Sequence, residues 1–283
     1  MIADPGRAPL SAAALRRTAA FAESRLWTAL EVVEETGSTN ADVAAAARAG
    51  AAEGLVMVAE HQHAGRGRAG RAWSSPPRAG LAVSMLLRPG VSPPRWGWLP
   101  LLAGVALVEA VTGVAGVAAT LKWPNDLLVG EGKCAGILAE AAGDAAVVGI
   151  GLNVTLRAGE LPEPAPGGLP ATSLALAGAH TTDRGALLGA LLSRIEHWYG
   201  RWRATGADVE RCGLRAAYLR ACATLGRPVR VELPDDVALA GTADTVDAGG
   251  RLVLRTAAGV RSLAAGDVVH LRTAAPGSSD MLG

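Results

Sequence analysis

The chain has 283 residues, enough for one generous domain or for a large catalytic domain with a small companion. Half of the residues are hydrophobic, 19% are charged and the formal net charge is +1, which excludes a disordered chain and one built as a whole to bind polyanions. The three cysteines, Cys134, Cys212 and Cys222, lack metal-type spacing and support neither a disulfide framework nor a zinc site, so a reducing cytoplasm is the expected location.

Residues 1 to about 30 hold one Ala/Leu/Arg-rich helical pattern, Ser11 to Ala22, and read as an N-terminal arm with no apolar signal core. No run approaches the roughly 20 uninterrupted apolar residues of a membrane span. Glu31 to Glu35 resembles a half-buried strand; Thr36-Gly37-Ser38-Thr39-Asn40 then turns into an Ala-rich helix capped by Ser38 or Thr39. Leu55 to Glu60 is a buried-type strand running into a Gly/Arg-rich loop, Gly65 to Arg71, and Leu81 to Arg88 resumes as strand. An apolar helix is expected over Leu99 to Val111, followed by strands in ATLKW, DLLVG, CAGILAEA and AAVVGIGLNV. The run Gly159 to Pro170 is a loop, and Ala186 to Trp202 carries Leu187, Leu188, Leu191, Leu192, Ile195 and Trp198 at helical spacing. From about Leu225 to Thr273 short strands separated by Asp- and Gly-bearing turns suggest a small all-β barrel. The expected division is an arm (1–30), a catalytic domain (31–222), a C-terminal barrel (223–275) and a tail (276–283).

Chemistry concentrates in four places. In Gln62 to Trp73 the glycines let backbone N–H groups approach a ligand, and Arg66, Arg68 and Arg71 supply charge-assisted donors for an anion. No acidic residue lies between Glu60 and Glu109 to neutralise them. The alternative is a solvated basic loop or an RGG-like nucleic-acid contact, against which stands its position between two buried strands. In Lys122-Trp123-Pro124-Asn125-Asp126 a lysine could meet phosphate, an amide could bond the ligand and a carboxylate could hold Mg²⁺; a plain turn with an Asx hydrogen bond explains the segment equally. Lys133 opens an apolar β run through Gly136, where a lone lysine is ordinarily a solvated charge. Gly149-Ile150-Gly151-Leu152-Asn153 places glycines and an amide at a strand end, suited to close approach by a nucleotide. No Ser-His-Asp or Cys-His arrangement is readable, and the five histidines lack metal-ligand spacing.

In this order, GSTN, QxxAGRGRxGRxW, KWPNDL, KxAGIL and GIGLNV closely resemble the biotin protein ligase family, over roughly Glu31 to Val154 by motif and over the β-rich C-terminal unit by texture. The resemblance implies an α/β (α+β) catalytic domain, a mixed sheet flanked by helices as in class II aminoacyl-tRNA synthetases, followed by an SH3-like barrel. It implies synthesis of biotinyl-5′-AMP from biotin and ATP with Mg²⁺, and transfer to a lysine of a biotin carboxyl carrier protein. By motif, Ser38, Thr39, Asn40, Gln62, Arg66, Gly67, Arg68, Lys133 and Gly136 are expected at biotin. Arg68, Arg71, Trp73, Lys122, Asn125, Asp126, Gly151 and Asn153 are expected at ATP, with Asp126 on the metal and Arg68, Lys122 and Lys133 in the chemistry. Gly65 to Arg71 is expected to close over the ligand, its arginines lacking partners until an anion arrives.

Two departures stand out. Many relatives begin with a helix-turn-helix domain, for which the arm leaves too little room, so no operator DNA binding is expected. Some relatives stack adenine on a tryptophan in the loop after the GIGLNV strand; Pro170 to Leu174 here has no aromatic. The chain is expected to be a monomer or homodimer. The competing readings are a lipoate or octanoate ligase of the same superfamily and a nucleic-acid-binding protein using the arginine loop.

Overall fold

The structure, a computed structural model, describes residues 4, 6–164, 168–233 and 237–271. The expected tail (276–283) and the last residues assigned to the barrel lie outside them. The arm folds as two short helices, α1 (Ala12–Arg16), capped by the Ser11 hydroxyl, and α2 (Ala19–Ala22). It is tied to the body by buried groups. Arg184 pairs with Glu60 at 2.5 Å, both side chains under a tenth exposed, and also donates to Ala8 O at 2.7 Å, while Leu10 N–H donates to Glu60. A buried pair left with one member is costly, so these contacts fix the arm's path.

The larger sheet has seven strands: β1 (Ala29–Thr36), β2 (Leu55–Gln62), β3 (Gly80–Leu87), β4 (Ala119–Lys122), β5 (Asp126–Val129), β6 (Gly132–Ala142) and β7 (Ala145–Asn153). Their order is β1-β2-β3-β7-β6-β5-β4, with β1 and β2 parallel and every other neighbouring pair antiparallel. Side chains alternate between faces, and the two faces differ. On one, Val83, Met85, Ile137, Ile150 and Leu152 meet α4 (Leu99–Ala115) and α5 (Arg184–Ala204) in the main core. The other is covered at one end by α3 (Thr39–Arg48), through Val43 and Ala47 against Leu55, Leu86 and Val147. The rest of that face is floored by small residues.

The segment Pro93–Ala115 is apolar and long enough to cross a membrane by composition, contrary to expectation, and its burial inside the fold identifies it as the core helix. It closes on Gly116 in the left-handed region (φ 70°), a conformation that favours glycine. A helix missed in the sequence, α6 (Leu214–Ala221), buries Leu214, Ala217 and Tyr218 at helical spacing.

The C-terminal unit is a five-stranded antiparallel sheet ordered β11-β10-β9-β8-β12, from β8 (Pro228–Glu232), β9 (Ala238–Val246), β10 (Leu252–Thr256), β11 (Gly259–Leu263) and β12 (Asp267–His270). Two buried indoles beside the seven-stranded sheet reach it, Trp98 donating to Ala248 O at 2.9 Å and Trp123 to Gly250 O at 3.1 Å. A third link is polar. Trp123 N–H donates to Thr224 Oγ1 at 3.1 Å, which leaves the hydroxyl proton for His270 Nε2, also at 3.1 Å.

Burial, then the charges of Lys122 and Arg227, push the His270 imidazole down from 6.5 to about 4. Between those values the unfolded chain binds a proton that the folded chain does not, so stability falls as pH drops through that window. His270→Gln is expected to shrink the difference between urea midpoints measured at pH 7 and pH 5; an unchanged difference would contradict the assignment.

Candidate active site

Strand register lines up the expected residues. Ala59, Ala82, Gly151, Gly136, Asp126 and Lys122 lie opposite one another in a row across β2, β3, β7, β6, β5 and β4. The spacing of Lys122 and Asp126 is thereby explained: they face each other across a hairpin and project to one side. Two residues along, Ser84, Gly149 and Leu138 form the next row on that face. Above both rows lies a cavity of about 330 Å³, whose walls include Ser38, Thr39, Asn40, Gln62, Arg66, Gly67, Arg68, Arg71, Trp73, Lys122, Asn125, Asp126, Lys133 and Asn153. With the floor glycines Gly136 and Gly151, these are all the residues singled out by motif.

One end is neutral and tightly bonded. Ser38, Thr39 and Asn40 open α3 and are nearly inaccessible. Ser38 is the N-cap, but its side chain makes no capping bond; Gln62 Oε1, on β2, accepts from Thr39 N–H at 2.8 Å instead. Ser84, fully buried in the apolar run LAVSMLL, contacts Thr39 Oγ1 at 2.7 Å and Asn40 Oδ1 at 2.6 Å. The motif reading missed Ser84, although a serine amid strand apolars was itself a signal.

The other end is cationic. Lys133 Nζ approaches Asp126 Oδ1 to 2.7 Å as a charge pair without an aligned hydrogen bond, and also lies 6.0 Å from the Trp73 ring centre. Burial holds Lys122 below the ordinary lysine range, with Asp126 opposing and Lys133 adding to the shift. Burial likewise lowers Arg68. Both are cations in a partly buried cavity, and an anionic ligand placed there favours their charged forms. Cys134 beside them is no nucleophile, since burial pushes its thiol up to about 12.

The arginine loop is more anchored than expected. A bridge pairs Arg66 with Ala72, and Trp73 N–H donates to Gly65 O at 2.9 Å. Arg68 donates to Asn125 Oδ1 and to Gly266 O, each at 3.3 Å, and Arg71 pairs with Asp267 at 2.8 Å. Two of the three arginines therefore already have partners. Arg66 is exposed, with no carboxylate partner among the described residues.

Two further readings change. Glycines 149 and 151 were read as making room for a nucleotide; a Cβ on Gly149 would lie 2.0 Å from Asn40 Oδ1, and one on Gly151 would lie 2.4 Å from the Trp73 indole. They admit these two side chains. The Mg²⁺ assignment to Asp126 does not fit its surroundings either. Lys133 and Lys122 flank that one carboxylate and Arg68 senses its charge. Asp126 is a counter-ion for lysines.

Pro170 to Leu174 docks beside this end: Lys133 N–H donates to Pro170 O, Thr172 N–H to Lys133 O, and the Asn153 amide to Thr172 O. A larger groove of about 850 Å³ lies between the arm and α5, but its arginines, Arg7, Arg78 and Arg184, already face Glu160, Glu34 and Glu60. Among the described residues that line it, no cation is left unpaired for an anionic ligand.

Residues 33–155 match the Biotin/lipoate A/B protein ligase family and residues 224–271 the Biotin protein ligase C terminal domain. The chain is 42% identical over 271 residues to a biotin–[acetyl-CoA-carboxylase] ligase of Mycobacterium tuberculosis, covering 94% of this chain and 97% of that one. It is 33% identical to the Paracoccus denitrificans enzyme of the same description, covering 84% and 98%. Among solved structures it resembles the biotin protein ligase from Aquifex aeolicus in complex with biotin and ATP, with a TM-score of 0.72 at 27% identity, covering 87% of this chain and all of that one. On sequence, on both matched regions and on the fold that carries its site, the chain belongs to the biotin protein ligase family.

Proposed function

We propose that this chain is an ATP-dependent biotin protein ligase, which forms biotinyl-5′-AMP and pyrophosphate and then transfers biotin to a lysine of a biotin carboxyl carrier domain. The observation that carries the reading is one cavity with two unlike ends: a buried hydroxyl and amide cluster at Thr39, Asn40, Gln62 and Ser84, and a cationic cluster at Lys122, Lys133 and Arg68. A cyclic urea on an apolar chain ending in a carboxylate suits that gradient. A dithiolane offers no hydrogen-bonding partner to the Gln62 amide nitrogen that this end leaves free to donate, which disfavours the lipoate reading.

In the first step a carboxylate oxygen of biotin bonds to the α-phosphorus of ATP and the bond to the β-phosphate oxygen breaks. No base is needed, since the nucleophile is already an anion. The task is to bring two anions together and to stabilise charge growing on phosphorus oxygens. Lys133 holds the biotin carboxylate, Lys122 and Arg68 take the phosphate side, and Asp126 keeps the lysines oriented before ligands arrive. Mg²⁺ is assigned to the nucleotide, as neutralising charge on the triphosphate, and no protein ligand for it is assigned. In the second step the carrier lysine's neutral amine attacks the acyl carbon, the bond from that carbon to the phosphate oxygen breaks, AMP leaves, and the amine gives up one proton to the departing phosphate or to solvent. Arg66 to Arg71, anchored at Gly266 and Asp267, shields the mixed anhydride from water.

Trp73 is assigned the wall between the two ends. Gly151→Ala would drive its indole out, and overpacking costs about 1–3 kcal/mol. Biotin affinity measured by calorimetry is expected to fall roughly ten- to hundredfold; wild-type affinity would show that Trp73 is not part of the wall. The reading as a whole is tested by biotin-dependent exchange of labelled pyrophosphate into ATP, whose absence would refute it. The protein is further proposed to act in the cytoplasm and to bind no operator DNA, so that a salt-resistant, sequence-selective gel shift would contradict the latter.

A further inference from the structure

We propose that Ser84 is a positioning and specificity-determining residue, which fixes the direction of the hydrogen bonds offered to the ligand's ring. The inference rests on the biotin reading and goes beyond the residues that the motifs supply.

The number of protons in the cluster fixes the direction of its hydrogen bonds. The Asn40 side chain has one orientation, because its amide nitrogen donates to Glu140 at 2.7 Å and to Leu138 O at 3.3 Å. Its oxygen therefore only accepts, and the partner at 2.6 Å is the Ser84 hydroxyl. Ser84 has one proton, so it donates to Asn40 and must accept from Thr39, whose hydroxyl oxygen lies at 2.7 Å. The Thr39 hydroxyl proton is thereby committed, and the 3.0 Å contact from Thr39 Oγ1 to Gln62 Oε1 is left without it. Gln62 Oε1 keeps a donor regardless, the Thr39 backbone N–H at 2.8 Å.

The chain of bonds runs one way, from Thr39 through Ser84 and Asn40 to Leu138 O and Glu140. Its outcome is that Thr39 Oγ1 is left to accept, while the Gln62 amide nitrogen is left to donate. An acceptor beside a donor complements a ring N–H beside a ring C=O, the pattern of a cyclic urea. Without Ser84 the Thr39 hydroxyl is a free rotor and the Asn40 oxygen, buried at 6% exposure, loses its donor. Because Ser84 is itself fully buried beneath this cluster, its effect reaches the ligand through Thr39.

The test compares Ser84→Ala with the wild type in pyrophosphate exchange, using biotin, desthiobiotin and ATP. Desthiobiotin keeps the urea and the acid chain but lacks the sulfur ring. KM for biotin and for desthiobiotin is expected to rise in parallel, roughly ten- to hundredfold, with KM for ATP unchanged, and Ser84→Thr, which keeps the hydroxyl, is expected to restore both. Should Ser84→Ala not fold, Ser84→Cys, close in volume and a far weaker donor, is read the same way. A loss confined to biotin would make Ser84 a packing residue, and no loss would remove its role; either overturns the proposal. A wild type without biotin-dependent exchange would instead refute the ligase reading itself.

Discussion

Lys133→Ala is expected to weaken biotin binding roughly ten- to hundredfold, the equivalent of losing one charge-assisted contact of about 1.5–3 kcal/mol. Adenylate formation at subsaturating biotin falls in proportion. The reason lies in the pairing of Lys133 with Asp126 at 2.7 Å. Without ligand the ammonium is held at the cavity wall by a carboxylate, and the biotin carboxylate competes for the same charge. Folding should change little, because Lys122 sits across the hairpin from Asp126 and remains as a counter-charge. Isothermal titration with biotin, together with a melting curve, checks both halves. Wild-type biotin affinity in a folded Lys133→Ala variant would move the carboxylate site elsewhere.

Arg68→Gly is expected to fail differently. Arg68 spans from the arginine loop to Asn125 and to Gly266 O of the C-terminal unit, so its loss unties the loop at two points. Biotin affinity should be nearly intact, whereas biotinyl-AMP, which depends on closure, should escape before transfer. The escaped mixed anhydride acylates whatever amine it meets. Incubation with ATP, biotin and an unrelated lysine-rich protein should then label that bystander with Arg68→Gly and not with Lys133→Ala. No bystander labelling together with normal intermediate retention would show that this loop is not the cover.

Much of the fold was legible because its periodicities were clean. Leu187 to Trp198 at helical spacing gave α5, and ATLKW and DLLVG were legible as strands, but the pairing that puts Lys122 opposite Asp126 came only with the fold. The C-terminal strands were readable from their turns. What stayed hidden depended on long-range contact. The glycines 149 and 151 looked like ligand-approach positions, and only the packed structure shows Asn40 and Trp73 filling their space. Asp126 looked like a metal ligand until the fold surrounded it with cations. Ser84 carried a signal, a hydroxyl in an apolar strand, but its partners lie more than forty residues away in sequence. The arm's attachment through Glu60 and Arg184 spans still more of the chain, and no local pattern encodes it.

The most direct test of the account is mass spectrometry of an isolated biotin carboxyl carrier domain after incubation with the purified protein, biotin and ATP. The account predicts a gain of one biotinyl group on a single lysine, dependent on ATP and absent when lipoate replaces biotin. An unmodified carrier domain, or one that gains a lipoyl group instead, would contradict it.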